Sequence, residues 1–396
     1  MNAFLHNRQR FSAVLEGSVA VVTAYDSMQL SADMEAEFLQ EASFWWLTGI
    51  EEPGWKVIIE PGASVRATLV RPDMSAAQIA FNGTLSDEDA KQIAGTAHVI
   101  SQKDFESYLR GLAKKHSVAY TPYNSEESHD FVLNPAPRKL HAMLQRTFTN
   151  TSDCSKHLFQ LRAIKTEAEI ATIKKAVKLS ITAFEQVRVN LDQFRNEYEV
   201  EAAFTHHFRS NGARHAYQPI IASGAHACTL HYNANQGKLR RGEILLLDVG
   251  ARVDGYAADI TRSYCINPTK RQAAVHAAVE VASQTIISYL KPGLTLKELS
   301  EFVDATMHDA MVSLKLIDET ASREEAQRYM PHSIGHGLGV DVHDRFAFGE
   351  LKPGMVMTIE PGIYIPEEKI GVRIEDDILI TEHGHLNLSA RLSTKL

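Results

Sequence analysis

The run Pro331–Asp377, PHSIGHGLGVDVHDRFAFGELKPGMVMTIEPGIYIPEEKIGVRIEDD, decides the fold. It places three histidines (His332, His336, His343) among glycines and sets two acids, Glu360 and Glu375, each after an apolar, strand-like run. A lone carboxylate at the end of a buried strand is costly unless something compensates its charge. The neighbouring histidines suggest a metal ion as the compensation.

The same pattern stands upstream. Leu239–Gly250 (LRRGEILLLDVG) aligns without a gap on Leu351–Gly362 (LKPGMVMTIEPG), so that Asp248 falls on Glu360. Once four residues are inserted in the second copy, Gly255–Asp259 (GYAAD) aligns on Gly371–Glu375 (GVRIE), so that Asp259 falls on Glu375. Each copy reads strand, acid, glycine turn, strand, acid. Glycines, apolar positions and acids match together, which is the mark of an internal duplication. A pseudo-twofold arrangement of the copies would bring the four carboxylates to one centre.

Outward from this core, the 396-residue chain is too long for one ordinary core and suggests two domains. With 44% hydrophobic and 23% charged residues it reads as soluble and globular. A net charge of −8 and the lack of a basic cluster exclude a nucleic-acid footprint. No apolar run reaches membrane-spanning length, and the N-terminal MNAFLHNRQRFSAVLEGS lacks the apolar stretch of a signal peptide. Cys154, Cys228 and Cys265 are scattered without a CxxC pair, which fits a reducing compartment. A cytoplasmic protein that binds no membrane is the expectation.

In chain order, Val19–Thr23 and Trp55–Ile59 read as buried strands, and Gln102–His116 as an amphipathic helix. Phe44, Trp45, Trp46 and Trp55 crowd one short region. They read as domain core with a subunit contact, or alternatively as an aromatic lid over an active site, its own or a neighbour's. The stretch TPYNSEESHDFVLNPAPRK, starting at Thr121, reads as a linker ending in a proline-started helix. This puts the domains at 1–155 and 156–396, a smaller α/β unit leading an α+β unit. Thr166–Glu169 (TEAE) is a capping box opening a helix to about Asn190, and Asn196 with Glu199 opens a second, ending at Gly212. A loop and strand over Ile220–Tyr232 carries His226 and His231, and the first acid hairpin follows. Helices Thr269 to about Leu290 and, from the capping box Thr295–Glu298, to about Leu316 precede the second hairpin. The order helix, helix, hairpin, twice over, is a second sign of the duplication, independent of the acids.

Four clustered carboxylates raise one another's pKa and cannot all ionise without cations. Two divalent ions resolve this. An oxygen-rich set with one imidazole suits Mn²⁺, with Co²⁺, Fe²⁺ or Zn²⁺ as alternatives. Ions about 3.5–4 Å apart generate a hydroxide nucleophile at neutral pH and polarise a carbonyl, and a nearby imidazole can stabilise the developing oxyanion. Hydrolysis of an acyl bond is the natural reaction. Strand parity agrees: Asp248 shares a face with Ile244 and Leu246, and Asp259 with Thr261 and Ser263, so Thr261 can orient a carboxylate. Gly335–Gly339 (GHGLG) lacks the strand-to-helix setting of a nucleotide loop. His226 and Cys228 read as structural.

These residues resemble the pita-bread metallopeptidases: methionine aminopeptidase, aminopeptidase P and prolidase. The set Asp248, Asp259, His336, Glu360 and Glu375 matches that family's five metal ligands in type and order, and the likeness covers about 160–396. The resemblance implies that Asp259 and Glu375 bridge two metals and that Asp248 holds one of them. His336 and Glu360 would hold the other, with Glu360 also the general base. It also implies that His231 and His343 contact the substrate or the tetrahedral intermediate. Arg373 and Tyr364 would support the ligands, and His332 would lie on the substrate side. The N-terminal FLQEASFWWLTGIEEPG resembles the leading domain of aminopeptidase P and prolidase, which methionine aminopeptidases lack. The implied substrates are Xaa-Pro peptides, and the implied assembly a homo-oligomer, dimer or tetramer. Proline removes an amide N–H and fixes φ, which defeats general peptidases. Aminopeptidase P activity is the leading expectation, with a dipeptide-restricted prolidase as the alternative, for which Arg345 would clamp the free carboxylate. A metal-free binding module or a metal-free, creatinase-like hydrolase has a remote place, because all five ligands are retained.

Overall fold

Capping chemistry fixes where the helices of the C-terminal half begin. Thr166, Thr269 and Thr295 each accept from the backbone N–H three residues on, and Glu169, Gln272 and Glu298 return a bond to the cap. In the computed structural model, which describes residues 2–62, 65–123, 132–346 and 348–396, these caps open helices Glu167–Val189, Lys270–Tyr289 and Leu296–Ser313. A further helix, Glu197–Ser210, starts at Asn196 without a side-chain cap. Glu199 accepts from Asn196 Nδ2 and from the Arg195 N–H instead. The chain divides into two compact units, Met1–Leu161 and Arg162–Leu396, and helix Ser155–Ala163 runs through the expected boundary. Of the expected linker, residues 124–131 lie outside the described residues.

In the first unit, Val19–Thr23 is central to a six-stranded mixed sheet. It pairs antiparallel with Lys56–Glu60 and parallel with Val118–Thr121. Helices Gln102–Ala113 and Ala136–Thr147 supply Phe105, Leu109, Leu140 and Leu144 to a core with Val19, Val21 and Ile58. Pro137 lies at the start of the second of these helices. The aromatic cluster belongs to the interior. Phe44 and Trp46 are wholly buried and Trp45 and Trp55 nearly so. The buried Arg8 donates to the carbonyls of Leu47 and Ala94 beside them. Exposed rings are what a lid or a subunit contact would need, so these four side chains serve the domain's own packing.

In the second unit, helices Glu167–Val189 and Glu197–Ser210 precede the antiparallel sheet Ile220–Ser223, Leu245–Asp248, Thr261–Tyr264. Helices Lys270–Tyr289 and Leu296–Ser313 precede the sheet Val356–Ile359, Asp376–Thr381, Gly384–Asn387 and the hairpin Gly362–Ile365/Ile370–Arg373. This is the duplicated α+β order expected from the acids, the pita-bread architecture. The second helix pair packs Val275, Val279, Leu299, Val303 and Met307 against Met357, Ile359, Val372 and Ile378. Burial of about 1.5–3 kcal/mol per large aliphatic side chain makes this layer the foundation on which the acids stand. One expectation fails locally. The strand from Ile220 ends at Ser223, and a short 3-10 helix, Gly224–Cys228, and a turn carry His226 and His231. Gly224 has φ +55, a left-handed conformation that breaks the strand. Among the described residues no helix is long and apolar enough to cross a membrane.

Candidate metal centre

Asp248, Asp259, His336, Glu360 and Glu375, the five residues selected from the sequence, meet in one place. Asp259, His336 and Glu375 each direct one ligand atom into a group whose members all lie within 4.8 Å of one another. His336 Nε2 lies 3.5 Å from Asp259 Oδ2 and 3.7 Å from Glu360 Oε1, which brings in Glu360. Asp248 joins through the phenol of Tyr217, which lies 2.6 Å from Asp248 Oδ1 and 2.5 Å from Asp259 Oδ1.

Backbone pairing sets these positions. Asp248 ends its strand opposite Thr261, and Thr261 also bridges to Glu375. Thr261 Oγ1 donates to Glu375 Oε2 at 2.6 Å. The histidine segment is laced to strand Val356–Ile359: Thr358 N–H donates to the His336 carbonyl and Glu360 N–H to that of Ile334. Thr358 Oγ1 accepts from the His336 N–H and donates to Glu360 Oε1. Any Cβ at Gly335 would sit 2.0 Å from the Thr358 carbonyl oxygen, so only glycine permits this approach. His336 Nδ1 faces the Gly337 carbonyl at 3.0 Å; donation there leaves Nε2 facing the acids.

The supporting residues fall around this group. Arg373 donates to Asp248 Oδ2 at 2.5 Å, to the Tyr364 hydroxyl at 2.9 Å and to Thr261 Oγ1 at 3.2 Å. His332 Nε2 lies 2.9 Å from the Tyr364 hydroxyl, and its Nδ1 3.7 Å from Glu360 Oε2. The His343 ring lies 4.3 Å from that of His336, centroid to centroid. His231 is exposed on its turn, within electrostatic reach of His332 and His343. Arg345 is half-buried, and its backbone packs on Gly337.

Burial and mutual repulsion shift the ionisation of the group. Burial, then the charges of Asp259, Glu360 and Asp248, push the Glu375 carboxyl well above its ordinary range. Burial raises Asp248 against the opposing pull of Arg373. Burial lifts Glu360 to about 7 even though His336 and Arg373 oppose it. Burial alone would lower His336, but its hydrogen bond to Asp259 and the charges of Asp259 and Glu360 raise it to about 9. Burial takes His332 down to about 4 and lowers His343, which the charge of His336 lowers further. Carboxyls raised in this way are ones that a nearby positive charge would stabilise in their ionised form. Four carboxylates and one imidazole form an oxygen-rich donor set of the kind that holds hard divalent cations.

Three residues with a part in this group escaped the sequence reading. Tyr217 sits outside both duplicated copies, in a stretch with no periodicity. Thr358 shares the strand face of Glu360, and parity could have found it. Asp377 shares the face of Glu375, a signal that the period of two contains. Its buried carboxylate accepts from the Asp259 N–H at 3.2 Å, its other oxygen has no partner, and burial raises its pKa well above the usual value. An apolar cavity of about 520 Å³ lies nearby, lined by Leu299, Val303, Met307, Met330 and Met357 with His332 at its edge. Met357 and Thr358 face opposite sides of one strand, so Met357 turns to the helix side while Thr358 turns to the acids.

Residues 171–382 match metallopeptidase family M24, and residues 4–120 match the aminopeptidase P N-terminal domain. The Xaa-Pro aminopeptidase of Escherichia coli (strain K12) is 31% identical over 96% of this chain and 92% of its own length. The chain belongs to metallopeptidase family M24. Among solved M24 structures it is similar to E. coli aminopeptidase P with the inhibitor Pro-Leu, with 28% identity, a TM-score of 0.86, and 99% of this chain and 95% of that one covered. It is equally similar to the Zn-substituted E. coli enzyme in complex with product, with 28% identity, a TM-score of 0.86, and 99% and 96% covered. Membership of M24 makes the protein a peptidase that uses divalent metal.

Proposed function

We propose that the protein is a two-metal Xaa-Pro aminopeptidase that releases the N-terminal residue from peptides whose second residue is proline. One observation carries this reading: an aminopeptidase P leading domain at 4–120 stands ahead of the metallopeptidase region. Asp248, Asp259, His336, Glu360 and Glu375 would hold a pair of divalent cations, Mn²⁺ first, with Co²⁺, Fe²⁺ or Zn²⁺ as alternatives. When bound, the pair supplies Lewis acidity at the substrate carbonyl and lowers the pKa of water.

The chain's own groups do the rest. Glu360 takes the proton of the attacking water on a carboxylate oxygen and passes it to the leaving proline nitrogen. His343 and His231 donate N–H bonds to the carbonyl oxygen as negative charge develops there. Arg373 and Tyr217 fix Asp248, and Thr261 fixes Glu375, so the ligand oxygens are oriented before substrate arrives. His332 and Tyr364 pack edge to face at 5.5 Å, and together they offer a wall for the proline ring. A homo-oligomer and a cytoplasmic location belong to the same reading. The first rests on the family resemblance, the second on three unpaired cysteines.

A substrate panel tests this. With Mn²⁺ present, Xaa-Pro-Yaa tripeptides should be cut with kcat/KM at least about 10²-fold above Xaa-Ala-Yaa controls. Equal rates on both would overturn the reading. Cleavage of Xaa-Pro dipeptides alone would instead establish a prolidase. In that case Arg345→Ala should raise KM for the dipeptide, because the free carboxylate would have lost its clamp.

A further inference from the structure

The turn that presents His231 is anchored at one buried carboxylate. Glu197 opens helix Glu197–Ser210, with its side chain fully buried. Its Oε1 accepts from the Ser223 N–H at 2.8 Å and the Ser223 hydroxyl at 2.7 Å, and lies 3.0 Å from His226 Nδ1. Its Oε2 accepts from the Tyr232 hydroxyl at 2.8 Å and the Gly237 N–H at 2.6 Å. The Glu197 N–H in turn donates to the Gly237 carbonyl. A Cβ at Gly237 would fall 2.5 Å from Glu197 Oε1, so the close approach needs glycine there. The His226 and Tyr232 rings stack at 4.2 Å. Both ends of the 223–237 loop and two residues inside it are therefore tied to one side chain, and His231 sits next to one of them. Burial would raise the Glu197 pKa, but the donors outweigh it and hold the group below the ordinary value. An ionised carboxylate accepts at both oxygens. A glutamine would turn an N–H toward groups that are themselves donors.

We propose that Glu197 is a positioning residue for peptide hydrolysis, holding the 223–237 loop so that His231 reaches the substrate carbonyl. This rests on the role given to His231 above. Both Glu197 oxygens are engaged by the loop and neither belongs to the acid cluster, so its effect would pass through the histidine.

The test is a double-mutant cycle on an Xaa-Pro-Yaa peptide at saturating Mn²⁺, comparing wild type, E197Q, H231A and the double variant. H231A should lower kcat about 10²-fold, and E197Q about 10-fold or more. The double variant should be no worse than H231A, because a group that acts through His231 has nothing left to position. Mn²⁺ affinity by calorimetry should stay within about threefold of wild type in E197Q, since no ligand is lost. Wild-type kcat in E197Q, or a double variant showing the product of both losses, would overturn the clamp while leaving the peptidase reading intact. Wild-type kcat in H231A would instead remove the role of His231, and the clamp with it. Should E197Q fail to fold, Y232F withdraws a single donor and enters the same cycle. Non-additivity with H231A is again expected, and an additive loss or an unchanged kcat again overturns the clamp.

Discussion

Glu360→Ala is expected to lower kcat on an Xaa-Pro peptide by at least about 10²–10⁴-fold, the contribution of a positioned general base. The residue stands where the strand Val356–Ile359 ends, with its N–H bonded to the Ile334 carbonyl and its carboxyl beside Thr358, His332 and His336. In the metal-free cluster burial raises its carboxyl to about 7. Alanine removes that base and a ligand oxygen together. Glu360→Gln separates the two effects, because it keeps the shape and one oxygen but cannot take a proton. Both variants should lose activity, and the glutamine variant should keep more of its metal affinity. Steady-state kinetics at saturating Mn²⁺ with calorimetric titration reads both quantities. A kcat within about tenfold of wild type in Glu360→Gln would remove Glu360 from the role of base.

The second large effect is on stability. The metal-free protein should gain stability when Mn²⁺ is added, by about 2.7 kcal/mol at a free concentration of 100 times Kd. At a fixed Mn²⁺ concentration the gain should grow with pH, because Kd falls as competing protons leave. Glu360, raised to about 7 from the ordinary 4.5, keeps its proton in the fold where the unfolded chain has lost it. Its contribution is therefore a destabilisation that develops between those two values. His336, raised to about 9 from 6.5, stabilises the metal-free fold fully below 6.5, and that contribution is lost as pH rises through 9. Above neutrality the empty cluster is thus at its least stable. The protons that compete with the cations are also leaving there, so metal binding is favoured. Thermal melts with and without Mn²⁺ at pH 6 and pH 8 should show the larger shift at the higher pH. A metal shift that is absent, or equal at both values, would contradict a preformed cluster of protonated acids.

The four acids were legible because two periodicities overlap at them, whereas His336 was singled out from its neighbouring histidines only by the family resemblance. An alternation of two set each carboxylate at the end of an apolar run, and the duplication repeated the arrangement. The capping boxes at Thr166, Thr269 and Thr295 fixed three helix starts for a local reason, a hydroxyl and a carboxylate or amide exchanging bonds with the backbone. What was not legible depends on contacts between distant segments. Tyr217 reaches Asp248 and Asp259 from outside the repeat, and no local pattern marks it. The 220–232 stretch has strand-like composition. The Ser223 N–H is taken by the Glu197 carboxylate, 26 residues earlier, and Gly224 turns the chain into a 3-10 helix. For Trp45, Trp46 and Trp55, hydrophobicity alone serves a core and an interface equally well, and only their burial assigns them to the core.

Anomalous diffraction from crystals grown with Mn²⁺ tests the shared centre most directly. The expected result is two peaks about 3.5–4 Å apart, both within bonding distance of the set Asp248, Asp259, His336, Glu360 and Glu375. A single peak, or two peaks in separate pockets with these residues divided between them, would contradict the claim that both halves of the duplication deliver their acids to one pair of cations.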